Sequence, residues 1–94
     1  MKISEIIHHL EVLAPPSLQE SYDNSGLIVG DSSREIEKVL LCLDSTEDII
    51  DEAIAENCQL IIAHHPILFS GIKSLTGKNY IERTILKAIK NDIA

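Results

Sequence analysis

The chain has 94 residues, of which 45% are hydrophobic and 24% are charged, and this composition excludes a disordered tail. Lys and Arg number 8 against 15 Asp and Glu, and the net charge of −7 argues against a nucleic-acid-binding module. No apolar run approaches the roughly 20 residues of a membrane helix, and the first residues lack the apolar stretch of a signal peptide. We therefore expect a cytoplasmic protein without membrane or nucleic-acid partners, with Cys42 and Cys58 buried as free thiols.

The spacing of apolar residues predicts the elements in chain order. A stripe from Ile3 to Leu13 predicts a first helix, which Pro15 and Pro16 must end. The apolar stretch 27–29, between two glycines, predicts a short strand. The runs 39–43 and 60–63 are apolar without alternation, which is typical of strands covered on both faces. Helical spacing returns at residues 49–54 and 81–89.

The order helix–strand–strand–helix–strand–helix predicts an α/β fold with a mixed, partly parallel sheet and flanking helices. The runs 39–43 and 60–63 should lie parallel, whereas the stretch 27–29 could run antiparallel to its neighbour because the link between them is short. Ile93 and Ala94 resemble the first residues of another strand. We therefore expect residues 1–94 to be one α/β unit, the N-terminal part of a longer, two-lobed protein.

Chemically useful side chains follow the two buried strands. Asp44 comes directly after the first of them, and His64 and His65 come directly after the second. Ligands collect at the carboxyl edge of parallel strands, so this carboxylate and the two imidazoles should converge there. Neighbouring strand residues point to opposite faces. The two histidines can therefore share one metal ion only if the backbone turns, or each can hold one ion of a two-metal site.

Other readings of these and nearby residues remain open. One histidine could cap the sheet while the other is solvated. Asp23 or Asn24 could form a plain turn, or could hydrogen-bond the histidine edge and so orient it. Lys73 could meet an anionic ligand from the loop before the last helix, although a solvated lysine is the default interpretation. His8 and His9 lie in mid-helix and are expected on an exposed flank.

Four stretches together make the sequence resemble the Nif-three-like family, also called GTP cyclohydrolase type-two homologues. They are residues 22–27 (YDNSGL), 43–46 (LDST), 63–71 (AHHPILFSG) and 87–94 (KAIKNDIA). Tyr22 stands where the family usually has tryptophan, and both are large amphipathic anchors. The match covers the opening half of the family's first domain. It implies two intertwined α/β halves assembled into a homohexamer.

The resemblance also implies a pair of divalent metal ions, with His64 and His65 as two of about five ligands. The remaining ligands, an aspartate, a histidine and a glutamate, would lie beyond residue 94, and Asp44 is not a recognised ligand. The ions could be iron, manganese, zinc or nickel, since imidazole and carboxylate suit them all.

The family's name implies a metal-dependent hydrolase acting on a nucleotide or another small anionic molecule, but no catalytic residue can be assigned. The alternatives are a non-enzymatic metal-handling protein, an interaction scaffold, or purely structural histidines.

Overall fold

A computed structural model describes residues 1–20, 23–68 and 70–94. Tyr22, expected to be a partly buried anchor, and Phe69 of the histidine motif lie outside the described residues. The elements are α1 (Ile3–Leu13), a 3-10 turn (Pro16–Leu18), β1 (Val39–Cys42), α2 (Glu47–Ala55), β2 (Leu60–Ala63) and α3 (Tyr80–Lys90). In this described part of the chain, no helix is long and apolar enough to cross a membrane.

At the start of each helix, a side chain accepts a hydrogen bond from a main-chain N–H group. The Glu5 carboxylate accepts a hydrogen bond from the Lys2 main-chain N–H at the start of α1. Thr46 Oγ1 accepts from the third residue of α2 at 3.3 Å, and Asn79 Oδ1 accepts from the third residue of α3 at 2.9 Å. The predicted helices are therefore confirmed, including the end of α1 just before the two prolines.

The described strands form a parallel pair, which confirms the α/β class. β1 and β2 align so that Val39 lies opposite Leu60 and Cys42 lies opposite Ala63. The cores on the two faces of the sheet are separate. Val39, Leu60 and Ile62 pack with α1, whereas Leu40 and Ile61 on the other face pack with α2 and α3. The strand β2 is therefore covered on both faces as its apolar run predicts, but Leu41 of β1 is 72% exposed, so the prediction fails for β1 at this position.

The prediction of a strand at residues 27–29 is wrong. Residues 27–29 adopt no strand conformation, so the order is helix–strand–helix–strand–helix. Leu27 packs against the α1 side of the core, while the main chain of this stretch pairs with no strand among the described residues. All three side chains of the run are half-buried, so its apolar character accompanies partial burial rather than a place in the sheet.

The outer edge of β2 is paired at its start by Ala94. The Ala94 N–H donates to the Gln59 carbonyl at 2.9 Å, and the Ile61 N–H donates to the Ala94 carbonyl at 2.8 Å. This is the pattern that a residue on a parallel neighbouring strand makes, as Ile93 and Ala94 suggest in the sequence. Gly30 packs against the same residue, and a Cβ at Gly30 would lie 2.5 Å from Ala94 Cβ.

Candidate metal centre

His64 and His65 are held by their main chain to the end of β1. The His64 N–H donates to the Cys42 carbonyl at 3.0 Å, and the His65 N–H donates to the Leu43 carbonyl at 2.9 Å. In a regular parallel strand, only alternate residues bond to a given neighbour. Two consecutive donors to the same strand therefore show that the backbone bends at this corner, directly after β2.

The bend brings the two imidazoles together. Their ring centroids are 4.7 Å apart and the ring planes are inclined by 65°. Side chains of consecutive residues in a regular strand would instead project to opposite faces. The structure thus has the backbone turn that the sequence required for the two rings to face one small region.

Asp44 meets His65 at this corner, as the strand order predicts. His65 Nδ1 lies 2.9 Å from Asp44 Oδ1, with 55% of the His65 side chain and 67% of the Asp44 side chain exposed. Because an aspartate carboxylate accepts hydrogen bonds, it favours the imidazole tautomer with the proton on Nδ1. The lone pair of His65 Nε2 is then the one available to a metal ion, and the ring is oriented by a carboxylate.

Asn24 contacts the main chain three residues after His65, whereas the hydrogen bond of Asp23 is local. Asn24 Nδ2 donates to the carbonyl of Leu68 at 2.7 Å. The Asp23 carboxylate instead accepts from the Glu20 N–H at 2.9 Å and closes a local turn. Lys73 is exposed in the loop before α3, and its role as an anion contact stays a prediction.

A groove of about 970 Å³ reaches this corner and is lined from both faces of the sheet, by residues of α1 and also of α2 and α3. His64, His65, Asp23 and Asn24 are among its lining residues, together with apolar side chains of α1 and β2. Asp44 and Lys73 do not line it. A small molecule in this groove would have access to both imidazoles, while Asp44 contacts His65 from outside the groove.

Neither cysteine is placed as a thiolate ligand. Cys58 is buried in the core beside α2, and Cys42 is half-buried at the end of β1. Burial raises the pKa of the Cys42 thiol above its usual value, so this side chain keeps its proton at neutral pH. Both thiols are free, as predicted.

A buried carboxylate that the sequence prediction did not include lies in the first turn of α3. Glu82 is 4% exposed and accepts hydrogen bonds from the N–H groups of Thr76 and Gly77 at 3.0 and 3.2 Å. The hydrogen bond from Thr76, helped by that from Gly77, holds the pKa of Glu82 below its ordinary value. Asn79 followed three residues later by Glu82 is a capping-box spacing, which could have indicated this role.

Comparison with known proteins places the chain in a family. The profile of the family described as Duf34/NIF3 (NGG1p interacting factor 3) matches residues 1–94. The chain belongs to the Duf34/NIF3 family. Its similarity extends along the whole of these 94 residues, so the histidine corner lies within the matched region.

Three relatives define the extent of the match. The GTP cyclohydrolase 1 type 2 homolog of Clostridium perfringens is 45% identical over 93 residues, which are 99% of this chain and 36% of that protein. The homolog of Campylobacter jejuni is 48% identical over 94 residues, covering 100% of this chain and 38% of that protein. The crystal structure of Staphylococcus aureus protein SA1388 superposes with a TM-score of 0.93 at 41% identity, covering 99% of this chain and 26% of that one. The Duf34/NIF3 chain described here thus spans roughly a third of the two homologs and a quarter of the crystal structure.

The side chains at the corner are of the types that bind divalent metal ions, but they are too few to form a complete site. Imidazole nitrogens bind iron, manganese, zinc and nickel, and the carboxylate beside His65 is the partner that metal-binding histidines commonly have. Within residues 1–20, 23–68 and 70–94, however, no group of three His, Cys, Asp or Glu side chains is arranged to hold a metal ion. A complete site at His64 and His65 would therefore need further ligands.

Proposed function

We propose that His64 and His65 are ligands of a pair of divalent metal ions in a metal-dependent hydrolase. Each histidine would hold one ion, and the substrate would be a nucleotide or a related small anionic molecule. A bound divalent ion can polarise a substrate oxygen and lower the pKa of a water molecule towards neutrality. Positive ions would also offset the net charge of −7, which otherwise repels an anionic substrate.

The observation that carries the proposal is the approach of the two rings at a backbone bend. Ring centroids 4.7 Å apart are compatible with two ions separated by the roughly 3.5–4 Å of known two-metal sites. The contact from Asp44 to His65 adds support, because it orients one ring and directs the proton to Nδ1. The groove that reaches both rings gives a small molecule a path to them.

The chain offers a matched control for the test. His8 and His9 are also adjacent, but they are exposed on α1 and their ring centroids are 6.1 Å apart. We compare the double variant His64→Asn/His65→Asn with His8→Asn/His9→Asn in the whole protein. Metal content is measured by elemental analysis after loading with manganese, iron, zinc or nickel, and hydrolysis is measured on a panel of nucleotides.

We expect the first double variant to lose bound metal and turnover, while the second keeps both. Retention of metal by the first variant at the wild-type level would refute the ligand assignment. Metal that depends on His64 and His65 without hydrolysis of any substrate would favour the non-enzymatic alternative, a metal-handling protein or an interaction scaffold. Wild-type protein whose melting temperature no metal raises would favour purely structural histidines, because a ligand that binds only the folded state must stabilise it.

The proposal includes a homohexamer in the cytoplasm, by analogy with the family. Large apolar side chains that are exposed in this chain, such as Leu13 at 84% and Leu18 at 76%, are compatible with burial against other parts of such an assembly. Light scattering of the whole protein after size-exclusion chromatography measures the mass. A monomer at micromolar concentration would contradict the hexamer without affecting the ligand assignment.

A further inference from the structure

Hydrogen bonds hold the histidine corner at two places, at the two histidines themselves and three residues after His65. The first is the pair of hydrogen bonds from His64 and His65 to the end of β1. The second is the hydrogen bond from Asn24 Nδ2 to the carbonyl of Leu68, at 2.7 Å between residues 44 positions apart. We propose that Asn24 is a positioning residue, which fixes the segment after the histidines and thereby the directions of the two imidazoles. This inference rests on the proposed metal-binding function.

Asn24 can act in this way because hydrogen bonds hold the chain on both sides of it. Gln19 Oε1 accepts from the main-chain N–H of Ser25 at 3.2 Å and from Ser25 Oγ at 3.0 Å. The Asp23 carboxylate accepts from the Glu20 N–H. The Asn24 side chain is itself half-buried, so little of its conformational freedom remains for the contact to restrict.

The position of Leu68 makes the contact relevant to the rings. Only Pro66 and Ile67 separate Leu68 from His65, and the proline ring fixes one of the few backbone dihedral angles between them. Pro66 also disfavours a helical conformation at His65. A fixed Leu68 carbonyl therefore restrains the bend from its downstream side, where the hydrogen bonds to β1 do not act.

The chemistry of the contact distinguishes the possible replacements. Asparagine donates through its amide nitrogen, whereas alanine offers no donor. Aspartate of nearly the same shape would place a carboxylate oxygen against the Leu68 carbonyl oxygen, a repulsive contact. If the hydrogen bond matters, Asn24→Asp must be more harmful than Asn24→Ala. If only the volume of the side chain matters, Asn24→Asp must be the milder change.

Asn91 supplies the matched control. Its Nδ2 donates to the Lys87 carbonyl at 2.8 Å, the same type of contact, but at the far end of α3. We compare Asn24→Ala, Asn24→Asp and Asn91→Ala in the whole protein. The metal affinity for manganese and zinc is measured by competition with a chelator, and the hydrogen exchange of the His64 and His65 amides, which donate to main-chain carbonyls at the end of β1, is measured in the metal-free protein.

We expect Asn24→Ala to weaken metal binding about tenfold, the lower end of the range for residues that orient ligands, and Asn24→Asp to weaken it further. Both should speed exchange of the His64 and His65 amides, and Asn91→Ala should change neither measurement. Wild-type affinity in both Asn24 variants would overturn the inference and leave the proposed function intact. Absence of metal from the wild-type protein would refute the proposed function, and the exchange data alone would then decide whether Asn24 restrains the corner.

Discussion

Replacing Asp44 tests whether a carboxylate orients the candidate ligand His65. Asp44→Ala removes the acceptor that lies 2.9 Å from Nδ1, whereas Asp44→Asn keeps an acceptor oxygen and loses the charge. Both side chains are more than half exposed, and exposed pairs of this kind contribute about 0.2–1 kcal/mol. An energy of about 1 kcal/mol corresponds to about a fivefold change in an equilibrium constant.

We therefore expect metal binding to weaken up to about fivefold in Asp44→Asn and about tenfold in Asp44→Ala, where the ring also loses its orientation. A chelator competition assay on the whole protein measures both values. Asp48→Asn, an exposed aspartate in the first turn of α2, is the control for the change of charge and should leave the affinity unaltered.

A second measurement separates orientation from overall charge. Nitrogen NMR shifts of the metal-free protein report which ring nitrogen of His65 carries the proton. We expect Nδ1 in the wild type and a shift towards Nε2 in Asp44→Ala. An unchanged metal affinity together with an unchanged tautomer in Asp44→Ala would refute the reasoning, because both consequences of the contact would then be absent.

Three further substitutions test the fold, each by urea unfolding of the whole protein. Ile3 is fully buried on the α1 side of the sheet, so Ile3→Ala should lower the free energy of unfolding by about 2–5 kcal/mol; a loss below about 1 kcal/mol would contradict this packing. Gly30→Ala should lower the free energy of unfolding by about 1–3 kcal/mol, because the added methyl group meets Ala94 and because the φ of Gly30 is +118°. Gly71→Ala places its methyl group in open space and should change the free energy of unfolding little. The pKa of Glu82 is lowered in the folded state, so its ionised form stabilises the protein when the pH is above the ordinary pKa of glutamate. This stabilisation is lost as the pH falls through the pKa that Glu82 has in the folded state. Glu82→Gln should therefore be less stable than wild type at neutral pH, with the difference shrinking on acidification; a difference independent of pH would contradict it.

The sequence predicts β2 and α1 closely but misplaces one strand, for a physical reason. Residues 60–63 are apolar at every position because α1 covers one face of the sheet while α2 and α3 cover the other. Residues 27–29 are equally apolar, but Leu27 packs against the α1 side of the core while the main chain of the stretch stays outside the sheet. Hydrophobicity reports the burial of side chains, whereas strand formation also requires a free edge with which the main chain can pair.

The sequence predicts which residues meet at the candidate site but not every contact that they make. Strand order brings Asp44 to the histidines, because parallel strands place their carboxyl ends at one edge. The sequence pattern does not show that Asn24 rather than Asp23 contacts the segment after His65, since both residue types favour turns. It also gives no sign of the Leu68 carbonyl as the acceptor, because a main-chain carbonyl is present at every residue.

The hydrogen bonds from His64 and His65 to β1 connect the candidate ligands to the interior of the protein. Leu40 of β1 packs into the core formed with α2 and α3, two residues before the Cys42 carbonyl that accepts from His64. A substitution that disturbs Leu40 would shift the acceptors and hence both imidazoles together. Genetic screens scored by loss of activity would then group such interior positions with the ligands themselves, and thermal denaturation would be needed to tell the two classes apart.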